Sequence, residues 1–188
     1  SCQNQFEQGE GSLSLTLSTE TTKAAMTADE LLANADVRIY KADFSGMVRH
    51  YKYSAMPSSI YLPADSYRVD VLAGEAAKES PATASWEQKS YKGSTPFTIS
   101  ANQNTPVAVL AKVNNIVSNI SFDSSVAQYF GDSYSCTVGL SRDDASSQLV
   151  YGPNDSGKDG FFISSAFEPS LYWSFSGTLS KSGETFTK

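Results

Sequence analysis

An all-β fold of two sandwich-like halves, with one or two short helices, is what this sequence predicts. Three observations lead there. Short runs alternate apolar and polar residues with a period of two, as half-buried strands do. Turn-forming residues separate these runs about every 8–12 residues, the spacing of sandwich strands. Charged residues make up only 18% of the chain, so Ser and Thr fill the solvent-facing slots, a composition that suits a β-rich extracytoplasmic protein. The 188 residues allow one large β domain or two domains of roughly 100 residues each.

The first strand is marked by Leu13, Leu15 and Leu17 alternating with Ser12, Ser14 and Thr16. Residues Thr19 to Met26 are polar and read as a loop. Thr27 and Glu30 form a capping-box pattern ahead of Leu31 and Leu32, predicting a short helix from Thr27 to Ala35. Val37 and Ile39 open a hairpin that turns at Asp43-Phe44-Ser45-Gly46 and returns through Met47 to Tyr53. In the stretch SSIYLPADSYRVDVLAGE, Ile60 and Leu62 share a face, Pro63-Ala64-Asp65 break the run, and Tyr67, Val69 and Val71 resume it. Tyr67 reads as core, its hydroxyl available to a turn. Residues Ala76 to Gly93 read as an irregular connection.

Phe97 and Ile99 lead to a turn at Ala101-Asn102-Gln103-Asn104, after which Val107, Val109, Ala111 and Val113 alternate. A soft boundary falls at Asn104–Val113, giving domains at 11–110 and 111–188 behind a tether at 1–10. Val126, Tyr129 and Phe130, with a cap at either end of Asp123 to Gly131, predict a second short helix. Tyr134, Cys136, Val138 and Leu140 share a strand face, making Cys136 a small buried hydrophobe. Runs at Leu149–Tyr151, Phe161–Ile163, Leu171–Phe175 and Thr178–Leu179 follow, and Trp173, alternating with Leu171 and Phe175, reads as core. The segment from Ser180 to Lys188 resembles half a hairpin, which leaves the second domain incomplete at its C-terminal end.

The net charge is −6 and the cations are scattered singly, as at Lys41, Arg49, Lys52 and Lys92. A nucleic-acid surface needs a concentrated positive field, so that class is set aside. No apolar run reaches the 18 or so residues of a membrane-spanning helix. Cys2 stands ahead of a polar stretch that runs to Gly11, the place where a bacterial lipoprotein carries its lipid; an ordinary N-terminal cysteine is the plain alternative. A Cys2–Cys136 disulfide is allowed by count and is disfavoured if Cys2 carries lipid.

Catalytic signals are poor. His50 is the sole histidine, sits mid-strand, and has no GxSxG nucleophile to serve. The run Asp155 to Gly160 has a superficial likeness to a calcium loop but lacks its alternating oxygen ligands and closing glutamate, and Arg142-Asp143-Asp144 reads as a solvated turn. No metal or other cofactor is expected. Trp86 and Tyr91, placed outside any clean strand, are the candidate glycan contacts; interior packing is the competing reading.

Four segments occur in one order: GSLSL, VRIYKADFSGMVRHYKY, SSIYLPADSYRVDVLAGE and FTISANQNTPVAVLAKVNNI. Together they resemble a family of Bacteroides surface lipoproteins related in style to fimbrillin-like adhesins. The resemblance covers residues 11 to 122 well and the remainder weakly. It implies transthyretin-like (Greek-key) β-sandwiches, export, lipid attachment at Cys2 to the outer membrane, and a role in cell adhesion or as a fimbria-like subunit. Partners would be other pilus or adhesin subunits, engaged by strand addition at an open sheet edge. The early region lacks a protease-site arginine, a departure from pilus-forming subunits. The alternative is a carbohydrate-binding surface module for host or dietary glycans.

Overall fold

The structure is a computed structural model that describes residues 6–20 and 28–188. Cys2 and the predicted N-cap Thr27 lie outside the described residues. Fourteen strands and two short α-helices are present among those described, so the chain is all-β with minor helix. It divides into two compact units. The first comprises Ser1–Glu79 and Ser90–Asn114, the second Ser80–Lys89 and Asn115–Lys188. The second unit therefore borrows ten residues from within the first, which differs from the contiguous division at 110/111 that the sequence predicts.

In the first unit, one ladder holds β2 (Asp36–Lys41), β3 (Met47–Lys52), β5 (Asp65–Gly74) and β7 (Ser90–Ile99), in the order β3-β2-β5-β7. The other ladder holds β1 (Glu10–Thr19) between β4 (Ile60–Pro63), antiparallel, and β8 (Asn104–Val113), parallel. The parallel pair makes the sheet mixed. The ladders join where Tyr91 and Lys92 of β7 pair with Val113 and Lys112 of β8. There Gly93 is required: a Cβ would stand 2.6 Å from the Leu110 carbonyl oxygen. Val37, Ile39, Tyr67, Val69 and Val71 from one ladder and Leu13, Leu17, Ile60, Leu62 and Val109 from the other fill a single apolar core. α1 (Ala28–Ala33) adds Leu31 to it.

The break at Pro63-Ala64-Asp65 does not form a hairpin. β4 pairs with β1, whereas β5 pairs with β2 and β7, so the break carries the chain from one ladder to the other. Proline ends a ladder readily because it has no N–H to donate. Tyr67 clamps this crossing: its ring is buried against Phe97 and its hydroxyl donates to the Pro63 carbonyl at 2.8 Å.

In the second unit, β6 (Ala84–Trp86), β12 (Asp159–Phe162) and β9 (Ile116–Asn119) form a three-stranded sheet. β11 (Gln148–Tyr151), β10 (Tyr134–Gly139), β13 (Tyr172–Thr178) and β14 (Thr185–Thr187) form a four-stranded one, in that order. Cys136, Val138, Leu149, Tyr151 and Phe162 make the core, with Trp86, Ile116, Ile120 and Phe122 packed around them. Tyr151 is its polar anchor, with its hydroxyl within 2.8 to 3.0 Å of the Ser118 hydroxyl, the Ser118 carbonyl and the Lys158 carbonyl. α2 (Ser124–Phe130) is capped by Asp123, whose carboxylate accepts the Ser125 amide at 2.9 Å, and it stops at Gly131 with φ of 59°.

Two sequence expectations change here. The connection from 76 to 93 contains β6 and the start of β7, so Tyr91 is a strand residue. The segment after Leu179 completes a hairpin, because β14 pairs with β13 from Thr185 to Thr187.

Candidate functional site

The predicted glycan contacts separate. Tyr91 is 1% exposed and belongs to the apolar core of the first unit, so its ring offers no face to a sugar. The alternation of β7 is the cause: Tyr91 points inward with Phe97 and Ile99. Trp86 lies in the second unit, edge-on to Tyr151 at 4.7 Å, with the Lys158 ammonium 4.6 Å above its ring. That indole is half-buried and already in contact with these two side chains. His50 sits exposed on β3, paired with the Asp36 carboxylate, and Asp36 also accepts from Arg38 at 2.7 Å. This is a surface charge cluster rather than a cleft.

The Asp155 turn is satisfied by its own neighbours. Its carboxylate accepts the Gly152 amide at 2.9 Å and meets the Lys158 ammonium at 3.2 Å, and these contacts hold it below the usual carboxylate range. Asp144 caps its own short turn, and Arg142 stacks on Tyr172 at 4.3 Å. Among the described residues no cluster of His, Cys, Asp and Glu could hold a metal ion.

The feature that stands out is an apolar groove in the second unit, about 450 Å³ in volume. Its floor is the inner face of β10, β13 and β14, carrying Cys136, Trp173, Phe175, Phe186 and Lys188. One wall is Ile120 and Phe122; another is α2, through Val126 and Phe130. The register explains the floor. Cys136 pairs with Phe175 and Val138 with Trp173, so β13 presents Trp173 and Phe175 to the side on which Cys136 and Val138 are buried. The rings form a cluster: Phe130 meets Phe175 edge-on at 5.3 Å, and Phe186 lies 6.1 Å from Phe175. Gly177 allows this, since a Cβ there would stand 2.6 Å from the Phe130 ring.

This face is not closed over. Trp173 is 51% exposed and Phe186 46% exposed. The sequence reading of Trp173 as core is therefore corrected. Its alternation is inward, but neither Trp173 nor Phe186 joins the buried cluster that Cys136, Val138, Leu149, Tyr151 and Phe162 form. Large apolar groups left in water near one another mark a binding surface. β14 adds a second element. Phe175 and Lys188 exchange both backbone hydrogen bonds at 2.9 Å, so Thr185 and Thr187, out of phase with them, turn their N–H and C=O groups away from β13. Among the described residues β14 is the last strand of its sheet, and that row of groups is open to pairing.

Chemically, the groove offers apolar surface, an ammonium at Lys188 held 5.8 Å from the Trp173 ring, and a Cys136 thiol pushed up by burial. Among the described residues its lining is apolar apart from Lys188 and the Cys136 thiol, a surface that an apolar group can contact. The sequence signals only the shared face of Trp173 and Phe175; Phe186 joins them through the pairing of β14 with β13.

Residues 9–188 match the family model described as Domain of unknown function (DUF4493), and the chain belongs to that family. No curated protein matches it. It is similar in structure to a "putative cell adhesion protein" from Bacteroides eggerthii, at 10% identity, covering 97% of this chain and 78% of that one, with a TM-score of 0.48. It is likewise similar to "putative polysaccharide binding proteins (DUF1812)" from Bacteroides thetaiotaomicron, at 11% identity, covering 94% and 78%, with a TM-score of 0.48. A "putative adhesin" from Bacteroides ovatus matches at 11% identity over 95% and 76% of the chains, with a TM-score of 0.45. No helix among the described residues is long and apolar enough to cross a membrane.

Proposed function

We propose that this protein is a non-enzymatic cell-surface lipoprotein, an adhesin or fimbria-like structural subunit, whose second unit accepts an extended apolar segment from a neighbouring subunit. The observation that carries this reading is the groove beside β14. A segment laid there gains main-chain hydrogen bonds from Thr185 and Thr187 and buries alternate side chains against Trp173, Phe175 and Phe186. Each large apolar side chain so buried contributes about 1.5–3 kcal/mol before the cost of ordering the segment. Cys2, within the polar start of the chain, is the residue proposed to carry the lipid that holds the protein at the outer membrane.

The carbohydrate-binding alternative has less support, because Tyr91 is buried and Trp86 is engaged by Tyr151 and Lys158. The test uses a synthetic peptide of residues 11–19, GSLSLTLST, which alternates leucine with Ser and Thr. In a Cys2→Ser background, Cys136 is the remaining thiol and lines the groove. The peptide should slow alkylation of Cys136, and Phe175→Asp should abolish that protection. Unchanged alkylation at saturating peptide, together with binding to a glycan array, would replace the reading with the carbohydrate one.

A further inference from the structure

The groove has an apolar floor and a cation at its mouth. Its natural complement is an extended segment presenting an aromatic side chain next to a carboxylate. The chain itself carries such a segment. Between β12 and β13, residues 165 to 170 are exposed and lie outside any helix or strand. Phe167 in this loop is 98% exposed, whereas the next most exposed large apolar residue, Tyr129, is at 65%. Single surface hydrophobes are ordinary, but a phenylalanine with its whole ring in water gains nothing from its own fold. Glu168 follows it, and Pro169 stiffens the chain beyond, lowering the entropy lost when the loop is captured.

We infer that the groove's occupant is the Phe167 loop of a second copy of this chain, with Phe167 seated against Phe130, Phe175 and Phe186 and Glu168 meeting Lys188. This rests on the reading of the groove as an acceptor and names its partner. The pairing is between two different surfaces, a loop and a groove. Unless two copies exchange loops reciprocally, such a contact leaves one loop and one groove free and extends head to tail. An aromatic anchor entering a desolvated pocket is the kind of contact that dominates protein interfaces. The Glu168–Lys188 pair at the rim sets register more than affinity.

The test is sedimentation equilibrium of the full chain, from micromolar to several hundred micromolar. The Cys2→Ser background excludes disulfide artefacts at that residue. Self-association is expected to be concentration-dependent and weakened tenfold or more by Phe167→Ser, a substitution at an exposed position that leaves folding intact. Glu168→Lys and Lys188→Glu should each weaken association several-fold, and the double exchange should restore it. A peptide of residues 162–171, FISSAFEPSL, should compete and should slow Cys136 alkylation.

A chain that stays monomeric throughout, or association unchanged by Phe167→Ser, overturns the inference. The two failures are distinguishable. If the 162–171 peptide gives no protection while the 11–19 peptide does, the acceptor reading stands and the Phe167 loop is rejected. If neither peptide protects Cys136, both are rejected.

Discussion

In the first unit, the inward residues of both ladders meet one another: Val37, Ile39, Val69 and Val71 on one side, Leu13, Ile60, Leu62 and Val109 on the other, each at 2% exposure or less. In the second, the same alternation on β13 delivers Trp173 and Phe175 to a side that is not fully covered. The two regions use one grammar of strands and differ in closure. A strand's pattern states which side its apolar groups face. Whether that side is closed depends on elements elsewhere, and here the shortfall produces the groove.

Matched truncations test this contrast most strongly. Phe162→Ala removes a fully buried ring from the closed part of the second core and should cost about 3–5 kcal/mol in denaturant unfolding. Phe186→Ala, at a half-exposed ring on the groove floor, should cost roughly 1 kcal/mol or less. Equal losses would mean that the groove belongs to a closed core.

A smaller effect is expected at the corner that closes the first unit. Gly93→Ala forces a Cβ onto the Leu110 carbonyl and should destabilise by about 1–3 kcal/mol. Tyr67→Phe keeps the stacked ring but leaves the Pro63 carbonyl without its donor, a loss of about 1 kcal/mol. Both are read from thermal or denaturant midpoints. No loss at Tyr67→Phe would show that the crossing at Pro63 needs no clamp.

The smallest effects concern the helical wall of the groove. Asp123→Ala should lower the unfolding midpoint slightly through the lost cap of α2, and Asp123→Asn should retain most of the wild-type value. The cap is also pH-dependent. The Ser125 hydroxyl and amide hold the Asp123 carboxyl below its ordinary range. Its folded value is therefore lower than its unfolded value, so the stabilisation is present above about pH 4 and is lost as pH falls through the folded value. The stability difference between the wild type and Asp123→Asn should shrink on titration from pH 6 to pH 3. A difference that stays constant would remove Asp123 from the argument.

Much of the fold was legible because the pattern is local. The strands at Leu13, Val37, Val69, Val107 and Cys136 follow from period-two alternation, and α2 follows from its two caps. The crossing at Pro63 was not, since a proline-bearing break reads alike whether the chain reverses within a ladder or leaves it. Nor was the excursion of residues 80–89 into the second unit. β6 has three residues, and its register against Gly160 to Phe162 is a contact between distant parts of the chain. Tyr91 falls within the irregular connection that the sequence predicts from Ala76 to Gly93, although Gly93 is itself required by the close β7–β8 approach. Of the groove residues, Cys136 and Trp173 read as core, Val126 and Phe130 as part of a short helix, and Phe186 and Lys188 as part of half a hairpin. That they converge on an uncovered floor depends on the pairing of β13 with β14, which alternation does not encode.

The central claim is that the β14 edge and its groove take up an extended segment. Amide hydrogen exchange at Thr185 and Thr187, with and without saturating 11–19 peptide, measures it most directly, because those amides face away from β13. The account predicts fast exchange in the dilute free chain and clear slowing at both residues in the complex, with the already paired Phe186 amide changing less. Exchange at Thr185 and Thr187 that is unaltered at saturation would contradict it.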